Sequence, residues 1–165
     1  MRFTDFDQKD LPQSKGEGGS QFLKLKAGSK YRVRLIGAAV MYYQHYEPVA
    51  CRAPMGLDSN NQPLDPLQKL GYKPKDKYAI WVIDRDDNNT IKLMDFPKSL
   101  FKQFADYKSA TSIDPGMAKG PDWVISVVPP QGKDFVKYVA TNIGPAPLTE
   151  QEIAKIKSMN LKEKL

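Results

Sequence analysis

Residues Lys30 to Ile36 alternate strictly, with Tyr31, Val33 and Leu35 on one side of an extended chain and Lys30, Arg32 and Arg34 on the other. A period of two with β-branched or aromatic residues on one side is a half-buried strand. Gly37 interrupts it, and extended character resumes from Val40 to Tyr46. The pattern predicts one long strand bent at a glycine, as at the corner of a small barrel. Lys77 to Asp84, with Tyr-Ala-Ile-Trp-Val-Ile at its centre, is a second strand. Asp86-Asp87-Asn88-Asn89 makes a tight hairpin turn, and Thr90 to Phe96 returns as the partner. Leu100, Phe101, Phe104 and Tyr107 follow at helical spacing behind Pro97, a residue that a first turn tolerates, so 97–109 is an amphipathic helix. Trp123 to Val128 and Asp134 to Ala140 form a second hairpin around Pro130-Gln131-Gly132-Lys133. Thr149 followed by Glu152 is a capping box, opening a terminal helix over about 150–162.

The stretches between these elements are equally patterned. Residues 47–76 hold Pro48, Pro54, Pro63, Pro66 and Pro74 and read as a long loop, with at most one helical turn near Leu64–Leu70. Loops of this length inside a domain are often functional. Residues 1–21 are polar, rich in Gly and Ser and without periodicity, the composition of a flexible arm. A bent strand, a long loop, a hairpin, a helix and a second hairpin follow the order of a mostly β, five-stranded OB-type Greek-key barrel. Its helix lies between strands 3 and 4, and a C-terminal helix is added. The expected organisation is an arm over 1–21, an OB-fold domain over 22–145 and a helical extension over 146–165. In such a barrel the ligand face is formed by the second and third strands, here 77–84 and 90–96, with the loops after the first and fourth.

Composition narrows the class. A chain of 165 residues suits one domain with a modest core. No apolar run reaches the length of a membrane span, and the N-terminus lacks the apolar stretch of a signal peptide. Cys51 is the single cysteine, which excludes an internal disulfide and points to a reducing intracellular compartment. The net charge is +6. Residues 1–19 are slightly acidic, whereas 20–110 hold fifteen Lys or Arg against nine Asp or Glu. The surplus belongs to the folded body, which suits a groove for a polyanion better than a tethering arm.

A nucleic-acid strand is held by cations on its phosphates and flat rings on its bases, each stack contributing roughly 1–3 kcal/mol. Arg32 and Arg34 share the solvent side of the first strand, where the alternative role is to keep an outer sheet face soluble. Tyr42, Tyr43 and Tyr46 lie downstream, and alternation turns one or two of them inward. Ile80 and Val82 pair as core residues, which puts Trp81 on the opposite face beside Lys77 and across from Lys92. There it is either a stacking platform or a ring covered by the terminal helix or the long loop. As a platform, Trp81→Ala would weaken binding without unfolding the domain. Arg52, Tyr72, Lys73 and Lys75 lie in the long loop and can close over a bound strand. Tyr78 falls on the Ile80 face by strict alternation, at the strand entrance. Trp123, Phe101 and Phe104 read as core.

Catalysis finds less support. Asp84, Asp86, Asp87 and Asp95 form an acidic cluster, and a metal-dependent nuclease using Asp84, Asp86 and Asp87 is the alternative function. Their setting is a hairpin tip, where Asp and Asn serve turn geometry. There is no glycine-rich phosphate loop and no nucleophile elbow. His45 is the one histidine, and with Cys51 it supplies two ligands where a structural zinc takes four. The expectation is a non-enzyme without cofactor or metal.

The blocks Phe22-Leu-Lys-Leu-Lys, Tyr31-Arg-Val-Arg-Leu-Ile, Lys77-Tyr-Ala-Ile-Trp-Val-Ile-Asp-Arg-Asp-Asp and Ile91-Lys-Leu-Met-Asp-Phe-Pro-Lys-Ser-Leu-Phe-Lys-Gln-Phe recur here in order and spacing. Together they resemble phage-encoded single-stranded DNA-binding proteins, the group akin to the T-even phage helix-destabilising protein, over about residues 22–140. Ala146-Pro147-Leu148-Thr149-Glu150 is also similar to this group. The resemblance implies an OB fold that coats transient single-stranded DNA during phage replication, recombination and repair, in the cytoplasm of the infected bacterium. It also implies Arg32, Arg34, Tyr78 and Trp81 as DNA contacts. Two features depart from the group. Many members hold zinc in the long loop with one histidine and three cysteines, but Met55 to Pro74 has no Cys-x-x-Cys pair, so a metal-free loop is expected. The better-known members end in an acidic tail that recruits replication enzymes, whereas residues 149–165 balance Lys155, Lys157, Lys162 and Lys164 against Glu150, Glu152 and Glu163. The terminal helix can instead pack on a neighbouring copy along DNA.

Overall fold

Alternation persists through the glycine and produces a single strand of 16 residues, Lys30–His45. The computed structural model describes residues 21–132 and 135–159. Gln21 apart, the arm expected over 1–21 lies outside the described residues, as does the end of the terminal helix. In chain order the elements are β1 (Phe22–Leu23), β2 (Lys30–His45), β3 (Cys51–Ala53), α1 (Pro66–Lys69), β4 (Lys75–Asp84), β5 (Thr90–Pro97), α2 (Lys98–Thr111), β6 (Pro121–Val128), β7 (Lys137–Pro145) and α3 (Glu150–Ser158).

The protein is mostly β, a mixed sheet curled into a half-barrel. The strands run β1-β5-β4-β2-β6-β7, with β3 paired to the far end of β2. Pairing is antiparallel throughout except between β1 and β5. The curl begins at Gly37, whose φ of 74° suits a residue without Cβ. There the β2/β4 register slips between Ile36 and Val40, and such a bulge bends the strand and increases its twist. The first half of β2 can then pair with β4 on one side and β6 on the other, from Lys30↔Ser126 to Arg34↔Asp122. Where five strands were expected the sheet has seven among the described residues and stays open. The additions are β1, held parallel to β5 at Leu93 and Met94, and β3, inside the proline-rich loop. β7 also starts and ends later than the expected 134–140, because its pairing with β6 runs on to Pro121↔Pro145.

Side chains on the inner face make the main core. Val33 and Leu35 of β2, Tyr78, Ile80 and Val82 of β4, and Met94 and Phe96 of β5 pack with Leu100 and Phe104 of α2. Phe104 meets Trp123 edge-on at 5.0 Å between ring centroids, a favoured quadrupole arrangement. A smaller cluster lies on the outer face: Ile36, Tyr42, Ala79, Trp81, Ile83, Ile91 and Leu93, covered by Leu148 and by Ile156 and Met159 at α3. The capping box that starts α3 is present in both directions between Thr149 and Glu152. The exposed edge of β7 is blunted by Gln103 of α2, whose side-chain amide donates to Tyr138 O and accepts from Ala140 N. No helix among the described residues is long and apolar enough to cross a membrane.

Candidate nucleic-acid interface

Past its bulge, β2 presents Tyr42 and Gln44 on the outer face, while Tyr43 is out of phase and shares the inner side with Met41. In the register, Arg52 of β3 and Lys75 of β4 both lie opposite Gln44, and Lys77 lies opposite Tyr42. Directly paired residues share a face, so the curl gathers Tyr42, Arg52, Lys75 and Lys77 into one strip. The Arg52 guanidinium lies 5.1 Å from the Tyr42 ring centroid, and the Lys75 ammonium 5.9 Å from that of Tyr46. Both are cation–π distances. Tyr46 is 48% exposed, whereas Tyr42 is 6% exposed and is covered by Arg52 in the free protein. Asp95 of β5 reaches the strip from below and is hydrogen-bonded to the Tyr42 hydroxyl. Burial, with Asp95 alongside, pushes the Tyr42 phenol well above its ordinary value. Burial likewise raises Asp95 against the opposing pull of Lys77, Tyr42 and Arg52.

Four of the residues expected to contact DNA are placed elsewhere. Trp81 is on the outer face as alternation requires, but it is only 3% exposed and lies under Leu148, Ile156 and Met159. The terminal helix is its partner, and it is not an open stacking platform. Arg34 is wholly buried. Its guanidinium donates to the carbonyl oxygens of Ala146, Leu35, Pro115 and Met117, so it holds the 115–117 loop and the approach to α3 against β2. Five donors in a planar fork suit it to that role. Lys92 is buried and bridges Asp84 and Asp87, each at 2.8 Å; these pairs raise its pKa against the effect of burial. Tyr78 is on the inner face, stacked on Phe101 at 4.2 Å with 12° between planes. Core packing decides its direction.

Two more sit apart from the strip. Arg32 is exposed near the start of β2, where its backbone N–H donates to Asp86. Ten residues along a strand at ~3.3 Å each separate it from Tyr42. Tyr72, 42% exposed, lies in the loop after α1, its backbone N–H donating to Leu67 O.

The acidic cluster is committed to its turn. Asp84 accepts from the Asp86 amide and from Lys92, Asp86 accepts from Arg32, and Asn88 and Asn89 take the left-handed backbone. Among the described residues no three His, Cys, Asp or Glu side chains come together in a group that could hold a metal. His45 is buried and hydrogen-bonded through Nε2 to the Asp65 carboxylate. Asp65 also caps α1 by accepting from the Leu67 amide. This pair ties the long loop to β2 across twenty residues. A cavity of about 360 Å³ between α2 and the bend of β2 is walled by Leu35, Ile80, Phe96, Phe101 and Phe104. Its wall is mostly apolar, with Lys108 and Asp114 also lining it, and none of the expected DNA contacts lines it.

Sequence reasoning missed three features. The His45–Asp65 pair joins residues too distant for any local pattern. Asp95 was read as part of a hairpin-tip cluster, although its register partner is Ala79, well inside the strand. Phe135 is 87% exposed in the β6–β7 connection, although it falls within the strand expected over 134–140. No family model, no curated protein and no solved structure matches this chain.

Proposed function

We propose that this chain binds single-stranded nucleic acid in a sequence-tolerant way, DNA in preference to RNA, as a phage-encoded protein protecting single strands in replication, recombination and repair. The observation that carries the reading is the strip on one outer face in which the exposed Tyr46 ring, and the Tyr42 ring buried beneath the Arg52 guanidinium, stand among Arg52, Lys75 and Lys77. Rings for bases and cations for phosphates, interleaved at strand spacing, are the elements that single-strand binding uses. An OB-type Greek-key reading of the half-barrel is supported by β2 pairing with both β4 and β6, and by α2 lying between the two hairpins. In that fold the loop after the fourth strand also faces the ligand, and there Phe135 offers a further ring. The resemblance to phage single-stranded DNA-binding proteins favours DNA.

Titration of labelled oligo-dT, oligo-rU and duplex DNA at two salt concentrations tests the proposal. Oligo-dT binds tightest and duplex weakest, because stacking needs unpaired bases. Each cation on a single-strand phosphate contributes ~0.7 to the slope of log affinity against log salt, so Arg52→Ala, Lys75→Ala and Lys77→Ala combined lower that slope by about 2. Equal binding of duplex and single strand, or an unchanged slope in the triple variant, contradicts the reading.

A further inference from the structure

A carboxylate is out of place on a surface that meets phosphates. Asp95 nevertheless points into the strip. Its register partner Ala79 belongs to the outer-face cluster, the Tyr42 hydroxyl bonds to it, and Arg52 and Lys77 act on it electrostatically. Tyr46 also feels its charge. The groups facing it are thus Tyr42 and Tyr46 from β2 and its extension, Arg52 from β3 and Lys77 from β4. One of its oxygens, Oδ1, is buried and accepts no hydrogen bond. A buried acceptor left open costs stability unless a ligand supplies the missing donor.

Resting on the nucleic-acid reading of this strip, we propose that Asp95 is a base-selecting residue: its open oxygen accepts from the exocyclic amine of a base stacked on Tyr42, favouring cytosine over thymine. The two pyrimidines have the same ring size but differ along the edge, where cytosine carries an exocyclic amine and thymine a carbonyl beside its C5 methyl. An anionic oxygen takes the first as donor and repels the second. In the free protein Oδ1 is shielded, so the base reaches it by taking the place of the Arg52 guanidinium over the Tyr42 ring. Sites built to bond a polar group discriminate strongly against the isostere that lacks it, since the acceptor then stays unpaired.

Protonation supplies a second signature. Burial holds the Asp95 carboxyl above its ordinary 3.8. Once neutral it donates its O–H to the thymine carbonyl, so discrimination falls as pH falls through its titration. Asp95→Asn, which presents both a donor and an acceptor, behaves at all pH values as the neutral acid does.

The test compares oligo-dC and oligo-dT of equal length at one salt concentration, for the wild type, Asp95→Asn and Asp95→Ala. Each variant is first checked for native unfolding behaviour. The wild type binds dC about tenfold tighter than dT near neutral pH. Both variants bring the ratio close to one with dT affinity maintained or improved, and only the wild-type ratio depends on pH once the variant profile is subtracted. A wild-type ratio near one, or a ratio that survives in Asp95→Asn, overturns the role of Asp95 and leaves strand binding standing. Failure of the wild type to bind either oligonucleotide overturns the strip itself.

Discussion

Arg34 and Trp81 show how a residue's chemistry is reassigned by what lands on it. Both sit on the outer face of the sheet in the phase that alternation predicts. A charged and an aromatic side chain there resemble ligand contacts, yet each is consumed by the fold. For Trp81 the expected outcome of Trp81→Ala is a loss of about 3–5 kcal/mol in denaturant unfolding, since a large buried ring leaves a cavity beneath α3. A selective loss of oligonucleotide affinity at unchanged stability would contradict this. For Arg34 the relevant quantity is the set of buried carbonyls it satisfies. Arg34→Met withdraws the guanidinium donors from these carbonyls, of which Met117 O keeps the Gly120 amide, and destabilises by about 3–5 kcal/mol in the same assay. Arg52→Ala is expected to lower oligonucleotide affinity, since its guanidinium lies over the Tyr42 ring within the strip.

At the level of elements, α3 is a lid over the outer face, and its hold has a pH dependence of determined sign. Glu152 accepts from Arg85 at 2.7 Å and from the Thr149 amide at 3.1 Å. Burial raises its carboxyl, but the Thr149 and Arg85 interactions outweigh that, and the net shift is downward from 4.5. An acid depressed in the folded state contributes stability that is complete above its unfolded value and is lost as pH falls through the folded one. Docking of α3 therefore weakens below 4.5. Amide exchange in 150–158 and the emission of Trp81, measured in a Trp123→Phe background, report it. Protection factors at 150–158, corrected for intrinsic exchange, that are identical on both sides of that pH would exclude the mechanism. Most elements were legible in the sequence, because β2, the β4–β5 hairpin, α2 and the α3 capping box each declare themselves by local period or spacing. The short β1 and β3 were not. Two or three residues carry no period, and only their partners in β5 and β2 make them strands.

For the whole molecule, the charge surplus in residues 20–110 is concentrated by the curl of the sheet. Residues 1–19 carry Asp5, Asp7, Asp10 and Glu17 against Arg2, Lys9 and Lys15. Deleting them is expected to leave single-strand affinity at low salt undiminished, as read by anisotropy of a labelled oligonucleotide. A marked drop would move the electrostatic site to that segment. The sequence by itself determined the mostly β class, the long bent strand, the placement of the helix between two hairpins and the faces of Val33, Arg34, Leu35, Ile80, Trp81 and Val82, but not those of Tyr42, Tyr43, Lys92 or Asp95. These follow from periodicity, glycine freedom and capping chemistry, all local. Tertiary structure alone decided which outer-face residues stay open. It laid α3 on Trp81 and the 115–117 loop on Arg34, and left Tyr46, Arg52, Lys75 and Lys77 near solvent beside Asp95; Lys92, paired with Val82, stands on the inner side, where Asp84 and Asp87 bind it. Alternation states on which side of a strand a group stands; coverage depends on segments remote in the chain, whose arrival no local pattern encodes.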